Sequence, residues 1–504
     1  MAGPSEDLLG HETDAVDRIT RARLDKLERL ETTGARAFPT TFGRSHRARQ
    51  IAEDFNRLEG QRVCVAGRLG VLRTFGKNLA FAPLQDDSGG IQLVVHPRDL
   101  GQAASAVFDA LDPGDFVGAC GQVIKTRTGE ISVDVVELTL LAKALRNPPE
   151  KWHGIADPEV RYRQRYLDLM SSAETRQIFL TRSRAVAATR RFLDERGFVE
   201  VETPILQPIP GGGAARPFAT ASHALDATLY LRIALELYLK RCIVGGIERV
   251  YEIGRTFRNE GVSFKHNPEF TMLELYQAYA DYRDMMALTE ELVGAVAQAV
   301  LGTTMVPWGD ALVELAPPWR RMPLRDAIAE FSGLDYDRYS ELPALREAAR
   351  GVGLPVEASW SRGKVLDELL TAFVEPRLVQ PTFLTDYPVA FPGSTLAKGR
   401  PERPDDVERF EAFAGGMEIA NAFSELNDPR VQRARFEEQR RARQAGDDEA
   451  QPFDLDFLTA LEHGMPPTGG LGLGIDRLVM LLTQQRSIRD VILFPQLRPR
   501  PVET

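Results

Sequence analysis

Between residues 61 and 142, apolar side chains alternate with polar ones in short runs. QRVCVAGRL, LAFAPLQD, GIQLVVH, DFVGACGQVIKT and EISVDVVELTLLA are rich in Val, Ile and Leu, and the turn signals DDSGG and RTGE separate them. Five such strands in roughly 80 residues predict a small closed β-barrel of the oligonucleotide-binding (OB) type, with a β-sandwich as the competing arrangement. NPPEKWHGIADPE (147–159) is Pro-rich and breaks the alternation, which predicts a linker. Beyond it the pattern is mixed. Residues 174–196 carry Phe179, Val186 and Leu193 at heptad spacing and predict a helix, while FVEVETPIL (198–206) predicts a strand stopped by Pro204. Strand pairs and helices then alternate to the end without internal repeats. The stretch from about 283 to 350 is helical in composition and carries no motif.

FRNEGVSFKHNPEFTMLELYQAYADY (257–282) crowds Arg258, Glu260, Lys265, His266, Glu269 and Glu274 among aromatics. If ERVYEIGRTFRNE (248–260) is one strand, Arg258 and Glu260 share a face and Phe257 and Ile253 lie on the other. If EFTMLELYQAY returns as its partner, Phe270, Met272, Glu274 and Tyr276 share one face, with Thr271, Leu273 and Leu275 behind. The loop GVSFKHNP joins the two. A solvated surface hairpin would not place Phe270, Met272 and Tyr276 on its polar side, so the parity predicts a pocket. Arg258 offers a bidentate donor suited to phosphate. Phe270 offers a flat face for a base, and Glu274 beside Tyr276 suits a cation on a flexible stem. A nucleotide and a small basic molecule, side by side, are the expectation.

Two further stretches add to it. GGLGLGIDRLVMLL (469–482) reads as a Gly-rich strand entering a helix. Gly470, Gly472 and Gly474 permit close approach to the backbone, and Arg477 stands near a helix N-terminus, where anions are favoured. In FEAFAGGMEIANAFSEL (410–426), Gly415-Gly416 predicts a two-residue hairpin turn. That turn sets Glu411 diagonal to Glu418, about 7–8 Å away. With no Lys or Arg of the hairpin expected to pair them, the two carboxylates form a candidate site for Mg²⁺ bridging phosphates. A solvated hairpin face is the alternative. Asn421, Phe423 and Glu425 share the other parity, so a bulge is needed for Glu418 and Asn421 to meet one ligand.

Composition narrows the class. The 504 residues suggest two or three domains, and 43% hydrophobic with 27% charged residues is ordinary for a globular chain. A formal net charge of −10 argues against general coating of nucleic acid. RITRARLDKLERL (18–30) still carries Arg18, Arg21, Arg23, Lys26 and Arg29, which suits either a solvated or an RNA-contacting helix. Cys64, Cys120 and Cys242 have no CxxC spacing and predict neither a disulfide framework nor a zinc site, in keeping with a reducing cytoplasm. MAGPSEDLLGHETD lacks the apolar core of a signal peptide, and nothing reaches the roughly 18 apolar residues of a membrane span. A cytoplasmic protein with no membrane partner is expected.

FVEVETP, FRNEG…HNPEF and GLGLGIDR resemble motifs one, two and three of the class II aminoacyl-tRNA synthetases. RYRQRYLDL, GGGAARPF, YLRIALELYLKR, EIANAFSELNDP and SIRDVILFP are similar to the bacterial lysyl-tRNA synthetase family in particular. The likeness runs from about residue 20 to 499, with the motifs in fixed order and no HIGH or KMSKS segment of the class I type. It implies an α+β fold: an N-terminal helical extension (1–60), an OB-fold anticodon-binding domain (61–146), a linker (147–160) and a catalytic domain (161–504) with an antiparallel β-sheet flanked by helices. It also implies activation of L-lysine with ATP to lysyl-adenylate and pyrophosphate, and transfer of lysine to the 3′ end of tRNA(Lys). Mg²⁺ (two or three ions with ATP) and a homodimer formed through residues 178–206 belong to the same picture.

Carried over residue by residue, the resemblance makes Arg258 and Arg477 catalytic. Arg258 contacts the α-phosphate, with Glu260 and His266 nearby on the nucleotide; Phe270 stacks on adenine, and Arg477 grips the γ-phosphate side. Glu418, also part of the ATP site, holds Mg²⁺ with Glu411. Gly212, Glu236, Glu274, Tyr276, Asn421, Phe423, Glu425 and Gly472 form the lysine site. Phe81 and Gln92 fall where the family reads anticodon uridines, although Phe residues also commonly fill small barrels.

The chain departs from the family at Ala221-Ser222-His223, where His-His-Asn is usual, and at PVAFPGSTLAK (388–398). By their place among the motifs both flank the pocket. The alternative is a diverged paralogue that lysylates another acceptor, such as elongation factor P, or a catalytically silent tRNA-binding regulator. The predicted barrel counts against the former, since that family lacks it; Arg258, Glu411, Glu418 and Arg477 count against the latter. Aspartyl and asparaginyl relatives share the architecture, but Glu236, Glu274 and Glu425 would repel an acidic substrate.

Overall fold

The computed structural model describes residues 13–35, 37–149, 155–213, 215–444 and 451–499. They form two compact units, Met1–Ala156 and Asp157–Thr504. The first twelve residues, where no signal segment was expected, and residues 150–154 of the expected linker lie outside the described part.

In the first unit the helix Thr13–Thr32 precedes a barrel. Its strands run in the order Arg62–Leu69, Phe116–Lys125, Ile131–Ala142, Gly90–Val95, Leu79–Gln85 and Arg73–Phe75, and Arg62–Leu69 also pairs with Leu79–Gln85, which closes the sheet on itself. Closure rules out the sandwich and leaves no long open edge. Five of these strands are those read from the alternation; the short Arg73–Phe75 strand and the helix Gln102–Ala110 are additional. Val63, Val65, Ala80, Ala82, Leu84 and Leu93 point inward. Phe81 has the opposite parity, is only half-buried, and lies on the outer face diagonal to Gln92, with Phe75 edge-on at 5.7 Å.

Two expectations change in this unit. Cys64 and Cys120 face each other on adjacent antiparallel strands, Cα–Cα 4.1 Å, and are bonded as a disulfide, which corrects the reading of three separate thiols. The pair lies 56 residues apart in sequence, so only the strand register brings it together. The basic helix is also partly structural. Arg23 is buried and donates to the carbonyls of Ala144, Arg146 and Pro113, while Lys26 pairs with Asp112 at 2.7 Å.

The second unit is built on an eight-stranded sheet. Its order is Arg320–Pro323, Thr382–Pro388, Asp406–Ala414, Met417–Ser424, Thr468–Gly474, Glu269–Ala278, Arg249–Phe257 and Val199–Glu200. All neighbours are antiparallel except the two end pairs. Leu273, Leu275, Phe410, Ala412, Ala420, Ala422, Leu471 and Leu473 cover one face and pack with the helices Ala173–Asp194, Tyr282–Leu301 and Ile475–Leu482 in a single core. The alternate residues of the same strands are left to the other face, and that is where the charged ones lie.

Three strand expectations are trimmed. Only Val199–Glu200 of 198–206 pairs in the sheet; Thr203 N–H and Oγ1 donate to Glu252 at 3.1 and 2.7 Å and draw the chain off the edge before Pro204. The strand read as 248–260 ends at Phe257, and Arg258 N–H closes the following loop on Pro268 O. The parity argument therefore does not reach Glu260, which is exposed. Residues 283–350, read as helical, also hold strands at Met305–Trp308, Ala311–Glu314 and Arg320–Pro323. The last of these is stabilised by pairing with Thr382–Pro388, about 60 residues downstream, a contact local composition does not encode.

Candidate active site

Strand register assembles the site in two transverse rows. Glu274 pairs with Gly472, Gly472 with Asn421, and Asn421 with Glu411. One pleat along, Tyr276 pairs with Gly470, Gly470 with Phe423, and Phe423 with Arg409. Directly opposed residues in antiparallel strands share a face, so both rows look to the same side, away from the helices. The glycines form the floor. A Cβ on Gly470 would lie 1.9 Å from Glu425 Oε1 and 2.6 Å from the Tyr276 ring, and one on Gly472 would crowd the Met272 side chain at 3.2 Å.

At one end of the rows the charges are buried. Glu274 accepts Leu235 N–H at 3.0 Å and the Tyr276 hydroxyl at 3.2 Å. Burial, reinforced by Glu236, pushes its carboxyl up to about 7. Glu236, at the start of helix Glu236–Val244, and Glu425, just past strand Met417–Ser424, are also buried and both are raised, burial again being the largest cause. Gly212, at φ +85°, packs against Glu236; a side chain there would meet its Cβ at 3.0 Å. Three buried carboxyls and the rings of Tyr276 and Phe423 thus converge at this end of the rows.

The other end carries the guanidinium groups. Arg258 lies over the Phe270 ring, 5.2 Å from its centroid. Arg477, in the first turn of helix Ile475–Leu482, donates to Glu418 Oε2 at 2.8 Å and to Glu418 O at 2.7 Å, with His266 Nε2 at 3.4 Å. The Gly415-Gly416 turn is present, both residues at positive φ, and a register shift between Ala412 and Phe413 supplies the bulge that brings Glu418 round. One expectation fails here. Glu411 is paired within its own hairpin: Arg409, two residues back on the same face, donates to Oε1 at 2.6 Å, and the Tyr387 hydroxyl donates to Oε2 at 2.9 Å. Burial still raises Glu411 to about 7, opposed by Arg409 and aided by Glu418. Among the described residues, no cluster of three or more His, Cys, Asp or Glu could by itself hold a metal. Glu411 and Glu418 are thus two carboxylates at this end of the rows, each already engaged by an arginine.

The family described as "tRNA synthetases class II (D, K and N)" matches residues 157–498. The chain is a class II tRNA synthetase. A second family, "OB-fold nucleic acid binding domain", matches residues 63–141 of this synthetase, within the barrel unit. Its relatives include the lysine–tRNA ligases of Moorella thermoacetica (55% identical over 487 residues, 97% of this chain and 99% of the relative) and Pelotomaculum thermopropionicum (52% over 493 residues, 97% of each). That of Roseiflexus castenholzii is 54% identical over 489 residues, 96% of this chain and 99% of the relative.

Within the synthetase fold, Arg409, Lys240, Asp476 and Arg182 escaped the sequence reading. Asp476 is buried, accepts Thr271 N–H at 2.6 Å and pairs with Arg182, tying motif three to motifs two and one. Arg409 also donates to Asn421 Oδ1 at 3.1 Å, Ser394 Oγ at 3.0 Å and Pro392 O at 2.6 Å. The departing segment 388–398 thus reaches the pocket through Arg409. Ala221 and Ser222, by contrast, lie in the small three-stranded sheet of Leu206–Gln207, Ala227–Leu231 and Ala219–Ser222. A cue to Arg409 existed: it shares parity with Glu411.

Proposed function

We infer that this class II synthetase is a lysine–tRNA ligase. The observation that carries the reading is the dry pocket in which Glu236, Glu274 and Glu425 converge on aromatic rings, a setting matched to a diamino acid and hostile to an acidic one. Full-length likeness to lysine–tRNA ligases supports the same substrate. Lysine's carboxylate, ionised at neutral pH, attacks the α-phosphorus of ATP in line, so activation needs no general base. Arg258 orients the α-phosphate and Arg477 the γ-phosphate side, while Phe270 stacks on adenine and Glu260 and His266 flank the nucleotide. Glu411 and Glu418 would hold Mg²⁺, which when bound would supply charge neutralisation on the phosphates. Gly212, Tyr276, Asn421, Phe423 and Gly472 complete the lysine site. Lysine then passes from the adenylate to the 3′ end of tRNA(Lys), whose anticodon meets Phe81 and Gln92 on the outer barrel face.

The exposed apolar residues Leu180, Val199, Ile205 and Leu206 support a homodimer through 178–206. No helix among the described residues is long and apolar enough to cross a membrane. Ligation of tRNA argues for the cytoplasm, where the Cys64–Cys120 bond is expected to be reduced. Pyrophosphate exchange with ATP, Mg²⁺ and each of the twenty amino acids tests the whole reading. Lysine should drive exchange and the others little; exchange driven best by Asp or Asn, or none, overturns it.

A further inference from the structure

The amino-acid pocket already contains an ammonium group. Lys240, on helix Glu236–Val244, is fully buried. Its Nζ lies 2.5 Å from Glu236 Oε1 and pairs with Glu425. The Phe423, Phe457 and Tyr276 ring centroids lie 5.4, 5.8 and 5.9 Å from it. A Glu–Lys pair at i,i+4 normally sits on the solvated face of a helix and contributes a few tenths of a kcal/mol. Here the pair is dry, so each charge must be compensated inside the protein. Neighbouring Arg241 pairs with Asp454 at 3.0 Å.

Counting charge around Lys240 shows what it leaves undone. Glu236 from its own helix, Glu274 from strand Glu269–Ala278 and Glu425 after strand Met417–Ser424 bring three carboxyl groups around its one ammonium. Tyr276 is a neutral donor to Glu274. Arg409, which acts on Glu236, is itself neutralised by Glu411, and Arg258 reaches Glu274 as a weaker influence. The pocket therefore holds more acidic groups than Lys240 alone can pair. Lysine brings two ammonium groups and one carboxylate. Norleucine, its equal in length with a methyl end, brings one of each, so the ε-ammonium is the charge that tells them apart.

We propose that Lys240 is a specificity-determining residue: its buried ammonium holds Glu236 and Glu425 in place around the pocket and leaves an excess of acidic groups that the ε-ammonium of a diamino acid meets. The inference rests on the lysine–tRNA ligase reading. Burial of Lys240 is outweighed by Glu236 and Glu425, which keep it a cation.

The test uses the full chain and pyrophosphate exchange with lysine and norleucine, comparing Lys240→Met with the double variant Lys240→Met/Glu425→Gln. Lys240→Met should raise the KM for lysine at least about tenfold, leave the KM for ATP nearly unchanged and narrow the lysine-to-norleucine preference, because one partner of a buried charge pair is lost. The double variant removes a carboxylate with the cation and should recover part of that loss; it carries the test alone if the single variant does not fold. An unchanged lysine KM and preference in Lys240→Met overturns the proposal. So does a parallel rise in both KM values, the mark of a merely structural residue, or a double variant without a preference for lysine. Absence of lysine-dependent exchange in the unsubstituted chain overturns the function itself, and the inference with it.

Discussion

Replacing Glu274 by Gln removes one charge from the pocket and almost nothing else. The residue is 4% exposed, and its oxygens accept Leu235 N–H and the Tyr276 hydroxyl. Gln keeps an acceptor for the Leu235 N–H, and the Tyr276 hydroxyl can turn to accept from the new amide, so the shape survives. An ammonium about 4 Å from a carboxylate gains on the order of 4 kcal/mol at an effective dielectric of about 20. Part of that gain is offset by keeping the carboxylate ionised in a buried site, a cost visible in its rise to about 7. A net loss of about 2–3 kcal/mol remains, or roughly a 30- to 150-fold rise in the KM for lysine. The sign with pH follows. Below about 7 the free carboxyl is neutral, and an ammonium ligand favours its ionised form, so lysine binding releases a proton. The KM for lysine should fall as pH rises towards 7 and then level, and the Gln variant should flatten that profile. Pyrophosphate exchange at saturating ATP, with lysine varied from about pH 5.5 to 8.5, measures both effects. A raised KM for ATP with lysine unaffected would assign Glu274 to the nucleotide and refute the reasoning; a lysine KM that climbs with pH would refute the charge argument.

Gly470→Ala should abolish lysine-dependent exchange while ATP still binds, since its Cβ would fall 1.9 Å from Glu425 Oε1; an ordinary lysine KM would show that the approach is not needed. Glu411→Gln and Glu418→Gln should each raise the Mg²⁺ concentration for half-maximal exchange, Glu418 more severely because it also engages Arg477; two unchanged titrations would leave both as structural residues. Phe81→Ala should raise the KM for tRNA by roughly 5- to 150-fold, the equivalent of about 1–3 kcal/mol of base stacking, without touching exchange in the absence of RNA; a parallel fall in exchange would mark it as a packing residue.

The barrel strands were legible because each buries one face, and alternation records which residues those are. The same parity placed Phe270, Met272, Glu274 and Tyr276 together, opposite Leu273 and Leu275 in the core. The Gly415-Gly416 turn was legible for a local reason too, since both residues need positive φ. What alternation does not record is which strand lies alongside, and at what offset. Cys64 meets Cys120, Gly472 separates Glu274 from Asn421, and Arg320–Pro323 gains a partner only through long-range register. Lys240 reads locally as half of an ordinary helix-surface pair; three aromatic rings and Glu425, brought from distant parts of the chain, turn it into a buried cation. The sequence by itself determined which faces are apolar and which residues can carry the chemistry. The tertiary structure alone decided which charges are dry and which carboxylate each cation meets, because burial and register are set by contacts between segments far apart in the chain.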